Sequence, residues 1–125
     1  MKCYATTWLK AAKETAREHE CIIDLNINEV YSIYIKQICR YCAAKAETFD
    51  YLFPLSDGAP LVLANVIICC NKCKVDKKNK DIIDFYKMGF ITNDLLINII
   101  RSNLTLNNNE KLRSYIFKLS ERQYA

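Results

Sequence analysis

The stretch that decides how this chain folds runs over residues 39–73, CRYCAAKAETFDYLFPLSDGAPLVLANVIICCNKC, and is bracketed by Cys39-Arg40-Tyr41-Cys42 and Cys70-Asn71-Lys72-Cys73. Each CxxC can fold as a knuckle that aims two thiolates at one point. Two knuckles separated by 27 residues complete a tetrahedral four-sulfur shell around Zn²⁺. Such a shell is closed, so the expected zinc on Cys39, Cys42, Cys70 and Cys73 holds the fold together and activates no water. Two other readings compete. A redox dithiol normally sits on a thioredoxin-like βαβ pattern, which this sequence lacks, and buried cysteines can act as small hydrophobes. Cys69 is a rival ligand to Cys70, but the matched x2 spacing favours Cys70. Cys3, Cys21 and Cys69 are left as ordinary cysteines.

Outward from that stretch, the composition sets limits. With 125 residues, one compact domain is expected, and a multidomain enzyme is excluded. Hydrophobic residues make up 51% and charged residues 26%, enough apolar content for a core. Two glycines and two prolines are too few for the frequent turns of an all-β sandwich, so the expected class is α+β and mainly helical. Seven cysteines, an odd number, without a signal-peptide apolar region point to a reducing, intracellular, cytoplasmic setting. No apolar run reaches the roughly 18–20 residues that span a bilayer. Lys, Asn and Ile supply 39 of the 125 residues, a bias expected from A/T-rich coding in a virus, a phage or a low-GC bacterium.

Helical periodicity flanks the cysteine stretch. Residues 4–20 place Trp8, Ala11, Ala12, Thr15 and Ala16 at spacings of three and four, which predicts an amphipathic helix. Its histidine, His19, is expected in solvent. Asn26 followed by Glu29 reads as a capping box for a helix to about Gln37, with Tyr31, Tyr34, Ile35 and Ile38 as its buried stripe. Residues 74–88 read as one charged helix with a single apolar face. Asn93 is expected to cap a helix over 94–103, and an Asn107-Asn108-Asn109 turn to precede a last helix over 110–122. The expected organisation of the single domain is N-terminal helices over 1–38, a core over 39–88 and a C-terminal helical pair over 89–125.

What lies between the two knuckles resembles the HNH endonuclease family, the ββα-metal nucleases, in its four-cysteine form. The order is Cys39 to Cys42, then Phe49-Asp50-Tyr51-Leu52-Phe53-Pro54-Leu55-Ser56-Asp57-Gly58, then Asn65-Val66-Ile67-Ile68, then Cys70 to Cys73. The resemblance covers about residues 5–85, including Trp8 and the lead-in from Asp24 to Gln37. It implies a zinc-clamped ββα core with flanking helices, acting on duplex DNA. In that family a histidine serves as general base, and a carboxylate and a later histidine or asparagine hold one Mg²⁺ or Mn²⁺ at the leaving oxygen. Carried over, Asp50 matches the metal-binding acid and Asn65 the asparagine that orients the base. Tyr51 stands in the place of the base, and Lys74 in that of the last metal ligand. A phenol pKa near 10 would have to fall by about 2 to 3, roughly 3–4 kcal/mol, for Tyr51 to serve at neutral pH. A protonated Lys74 repels a divalent cation. Asp50, Tyr51 and Asn65 are therefore expected to form a degenerate catalytic centre.

The run Lys72, Lys74, Lys77, Lys78, Lys80 and Lys87, against Asp76, Asp81 and Asp84, reads either as a phosphate-contacting patch that Arg40 and Lys45 can extend or as a solvated lysine face, and the net charge of +4 does not decide between them. Three functions follow as expectations. The first is a DNA-binding protein of HNH-nuclease descent with cleavage weak or lost. The second is a working metal-dependent endonuclease. The third is an inhibitor or adaptor that binds a host protein through the Leu/Ile-rich C-terminal helices. Whether the chain is an enzyme stays open at this level.

Overall fold

The computed structural model describes residues 2–124 and the side chains of residues 4–122, so the side chain of Cys3 lies outside the described residues. Helix α1 (Lys2–Glu18) buries Ala5, Leu9, Ala12 and Ala16, a stripe of period 3.6. Ala11 and Thr15, expected in that stripe, face solvent. The small side chains of Ala5, Ala12 and Ala16 bring α1 close against α2 (Ile27–Tyr34). Trp8 leans on Phe49 with ring centroids 4.5 Å apart. Helix α2 starts with the expected capping box: the Glu29 amide donates to Asn26 Oδ1 at 2.9 Å, and the Asn26 amide to Glu29 Oε1 at 3.0 Å. It stops at Tyr34, short of Gln37, whose left-handed φ of 59° turns the chain toward the first knuckle. Its buried residues are Val30 and Ile33. Ile35 and Ile38, expected inside, are 74% and 57% exposed because the helix ends before its apolar stripe reaches them.

Strand β1 (Ile23–Asp24) pairs in parallel with β3 (Leu61–Val62). Strand β2 (Thr48–Tyr51) pairs antiparallel with β4 (Val66–Cys69), setting Phe49 opposite Ile68, Asp50 opposite Ile67 and Tyr51 opposite Val66. The chain between β2 and β4 is gathered by Asn65, which is fully buried. Its Oδ1 accepts from the Phe53 amide at 2.9 Å, and its Nδ2 donates to the carbonyls of Phe53 and Pro60 at 2.9 and 3.0 Å. Gly58 closes the short turn at Leu55–Asp57 with φ 90°, a conformation that suits glycine.

The single helix expected over 74–88 is two, α3 (Asn71–Lys77) and α4 (Ile82–Lys87). Lys78 breaks it at φ 55°, which brings the Lys80 carbonyl to within 2.7 Å of the Lys77 ammonium. Asp81 then starts α4 by accepting from the Asp84 amide at 2.8 Å. Helix α5 (Asn93–Asn103) is capped by Thr92, one residue before the expected Asn93, and α6 (Asn109–Tyr124) closes the fold.

Side chains alternate across the β2–β4 pair and divide the core in two. Phe49 and Val66 join the side built on α1 and α2. Leu52 and Ile67 join the side that contains Phe85, Ile99 and Leu112. Leu96, Ile99 and Leu112 bury the apolar faces of α5 and α6 against this chain's own core, and Asn103 Nδ2 donates to the Ala64 carbonyl at 2.9 Å. Among the described residues no helix is long and apolar enough to cross a membrane. Truncating fully buried Ile99 to alanine is expected to cost about 2–5 kcal/mol. The check is a lower urea midpoint with unchanged slope; a loss under about 1 kcal/mol would show that α5 is not anchored in the core.

Candidate metal centre

Two local structures bring the four thiols together. In the first knuckle the Cys39 amide donates to the Ala44 carbonyl at 2.7 Å and the Ala43 amide to the Cys39 carbonyl at 3.0 Å, with Ala43 in the left-handed region at φ 66°. That tight turn lets the Tyr41 amide point at Cys39 Sγ, 3.4 Å away. The second pair straddles a helix start. Cys70 is the N-cap of α3, its sulfur accepting from the Cys73 amide at 3.4 Å, and Cys73 lies in the first turn.

The sulfurs of Cys39, Cys42, Cys70 and Cys73 all lie within 4.8 Å of one another, and those of Cys42 and Cys70 are 3.6 Å apart. A tetrahedral shell with metal–sulfur bonds of about 2.3 Å needs sulfurs about 3.8 Å apart, so the donor set fits one metal ion. Burial raises the thiol pKa values of Cys39 and Cys73, whereas the hydrogen bond from the Ala44 amide lowers that of Cys42. A cation among the four sulfurs offsets the cost of burying their charge. Cys69, at the end of β4, is fully buried outside this cluster, and its thiol is pushed up to about 12 by desolvation and then by the charge of Asp50.

The residues matched to a nuclease centre are not gathered at an open site. Adjacent on β2, Asp50 and Tyr51 point to opposite faces. Asp50 is buried, its carboxylate 2.9 Å from Lys77 Nζ and accepting a hydrogen bond from the Tyr41 hydroxyl at 2.8 Å. Tyr51 packs on the α1 side with its ring 6.0 Å from that of Trp8, and burial pushes its phenol well above the ordinary value, with the Asp50 charge adding to the effect. That direction is opposite to what a base at neutral pH requires. Asn65 spends its side chain on the backbone of Phe53 and Pro60. Lys74 donates to the Phe49 carbonyl at 2.6 Å.

The cationic run is divided as well. Lys77 is 1% exposed and donates to the carbonyls of Tyr51 and Lys80, both at 2.7 Å, so it cannot reach a phosphate. Lys72 is exposed and paired with Asp76 at 2.9 Å. Lys78, Lys80, Lys87 and Lys45 are exposed, and half-buried Arg40 donates to Ser102 Oγ at 3.2 Å. Tyr41 and the inward role of Lys77 were missed from sequence. A signal for the second existed: Lys77 is four residues after Cys73, so a helix that turns Cys73 inward turns Lys77 inward too. No such spacing marks Tyr41.

Fold and cluster together define a small α+β, mainly helical protein with a four-cysteine site able to hold a metal ion. Comparison with protein-family models, with curated proteins and with solved structures found no match to the chain.

Native mass spectrometry is expected to find one metal ion per chain, lost in Cys70→Ser and retained in Cys69→Ser; the reverse pattern would assign the wrong cysteine to the cluster. Lys77→Met leaves the Asp50 carboxylate buried without its cation, a loss of about 3–5 kcal/mol in denaturant unfolding. Adding Asp50→Asn removes the stranded charge and keeps an acceptor for Tyr41, so the double variant should recover most of that loss.

Proposed function

We propose that this chain is a zinc-clamped protein of HNH-nuclease descent that binds duplex DNA without cleaving it. The observation that carries the loss of cleavage is the buried Asp50–Lys77 ion pair, closed by the Tyr41 hydroxyl. A carboxylate held 2.9 Å from an ammonium cannot take up Mg²⁺ or Mn²⁺ without first breaking that pair beneath the surface. The raised phenol of Tyr51 and the backbone bonds of Asn65 support the same reading.

The order of parts supports the descent: a knuckle, strand β2, strand β4, then a helix whose cap and first turn hold the second cysteine pair. Zn²⁺ is the proposed ion, because an all-sulfur tetrahedral shell favours it over hard cations that prefer oxygen. Its role here is structural. DNA binding is supported by the cations left outside, Lys72, Lys78, Lys80 and Lys87, with Arg40 and Lys45 near the first knuckle. These groups read phosphate charge, not base sequence. The adaptor reading gains no support from α5 and α6, whose main apolar faces are covered by this chain's own core.

The zinc-loaded protein is expected to leave supercoiled plasmid intact with either Mg²⁺ or Mn²⁺ while shifting duplex DNA in a gel. Four phosphate contacts predict about a hundredfold loss of affinity between about 50 and 200 mM salt. Lys78→Glu combined with Lys80→Glu should weaken binding evenly across DNA sequences. Nicking that disappears in Asp50→Ala would overturn the loss of cleavage, and no shift even at about 50 mM salt would overturn DNA binding.

A further inference from the structure

Beside the first knuckle lies a cavity of about 690 Å³. Its walls come from the last turn of α2, the knuckle, β4 and the inner face of α5, and Ile33, Ile38, Ile67, Leu95 and Leu106 make it apolar. The β2–β4 sheet has two strands, and among the described residues no third strand pairs with the outer edge of β4. There the Ile68 carbonyl accepts from the Arg40 backbone amide at 3.0 Å and the Val66 carbonyl from Asn103 Nδ2 at 3.3 Å. That edge forms the floor. Cys39 and Cys42 line the cavity on one side, but Cys70 and Cys73 do not, so it is not the space a metal would fill. At this size it falls within the range of pockets that enclose small ligands, about 300–1,000 Å³, and far above the voids that close packing leaves in an interior.

Apart from the clustered thiols of Cys39 and Cys42, the charged side chains of the lining are all cationic. Lys36 and Arg40 line the cavity, and among the described residues no aspartate or glutamate does, in a chain that carries 14 acidic residues. Arg40 is held in place by Ser102 Oγ, which accepts from its Nη2 at 3.2 Å. A guanidinium spreads its donors in a fork, so one bond to Ser102 leaves others for a carboxylate. An apolar chamber with a fixed cation and no competing acid complements a molecule that has a hydrocarbon body and one anionic head. A neutral hydrocarbon would leave Lys36 and Arg40 unused, and a cationic amphiphile would meet like charge.

We propose that this cavity is a binding site for a small apolar carboxylate of medium-chain fatty-acid size, its chain between α2, β4 and α5 and its head on Arg40. This site adjoins the proposed zinc centre, whose Cys39 and Cys42 help to line it, and does not depend on the DNA-binding reading.

Decanoate is a suitable probe, titrated into the metal-loaded full chain below its micelle concentration and followed by amide chemical shifts. Saturable shifts are expected at Ile33, Ile38, Ile67 and Leu95, with affinity falling about fourfold for each methylene removed in octanoate and hexanoate. Decylammonium should bind at least tenfold more weakly. Arg40→Gln should weaken decanoate and reduce its advantage over decylammonium, with Lys36 retaining the remainder. Leu95→Trp, which pushes a larger ring into the chamber, should weaken binding further. Three results would each overturn the proposal: no saturable shift, shifts centred elsewhere such as on exposed Phe117, or equal binding of decanoate and decylammonium.

Discussion

The rotational phase of one short helix governs the rest of the structure. Cys70 caps α3 and Cys73 sits in its first turn, and both sulfurs must face Cys39 and Cys42 for the cluster to form. Once Cys73 faces inward, helical geometry carries Lys77 inward one turn later. Lys77 then needs an anion and acceptors in a dry place, and it finds Asp50 and the carbonyls of Tyr51 and Lys80. Reaching the Lys80 carbonyl requires the turn at Lys78, which splits the helical segment into α3 and α4. A requirement of four thiols at one point thus extends through a helix to a buried ion pair and a chain reversal.

The ion pair gives Asp50 a structural task. An acid on a strand beside a cysteine cluster has the chemical type to hold a catalytic cation, yet here its charge is balanced by an ammonium and its second partner is the Tyr41 hydroxyl. Strand alternation then keeps Tyr51 from assisting, because neighbouring residues on β2 belong to opposite halves of the core. The same alternation lets one two-stranded sheet serve two apolar clusters, α1 and α2 on one side and α4, α5 and α6 on the other. Such sharing ties the cysteine-bearing segment to both ends of the chain.

Local features were legible where a few neighbouring residues suffice. The two CxxC pairs marked the cluster, Asn26 and Glu29 marked the start of α2, and apolar periodicity marked α1, α5 and α6. Errors arose where an element's end or facing depends on distant partners. The break at Lys78 has no glycine or proline to announce it, and Ile35 and Ile38 look like core residues until the helix before them stops. Tyr41 lies within the first CxxC, and only the placing of β2 beside that knuckle turns its hydroxyl into a partner for Asp50.

Sequence alone therefore determined the four cysteines of the cluster, the mainly helical α+β class and the approximate extents of most helices, because spacing, capping and periodicity act within a turn or two of chain. Tertiary structure alone decided which charges are spent inside and which remain outside. Of the lysines between 72 and 87, Lys77 is buried and Lys74 is tied to the Phe49 carbonyl, while Lys78, Lys80 and Lys87 stay in solvent. A charged group is stable in a core only opposite a matching charge and acceptors. Those partners lie some 25 residues away along the chain and meet only when it is folded.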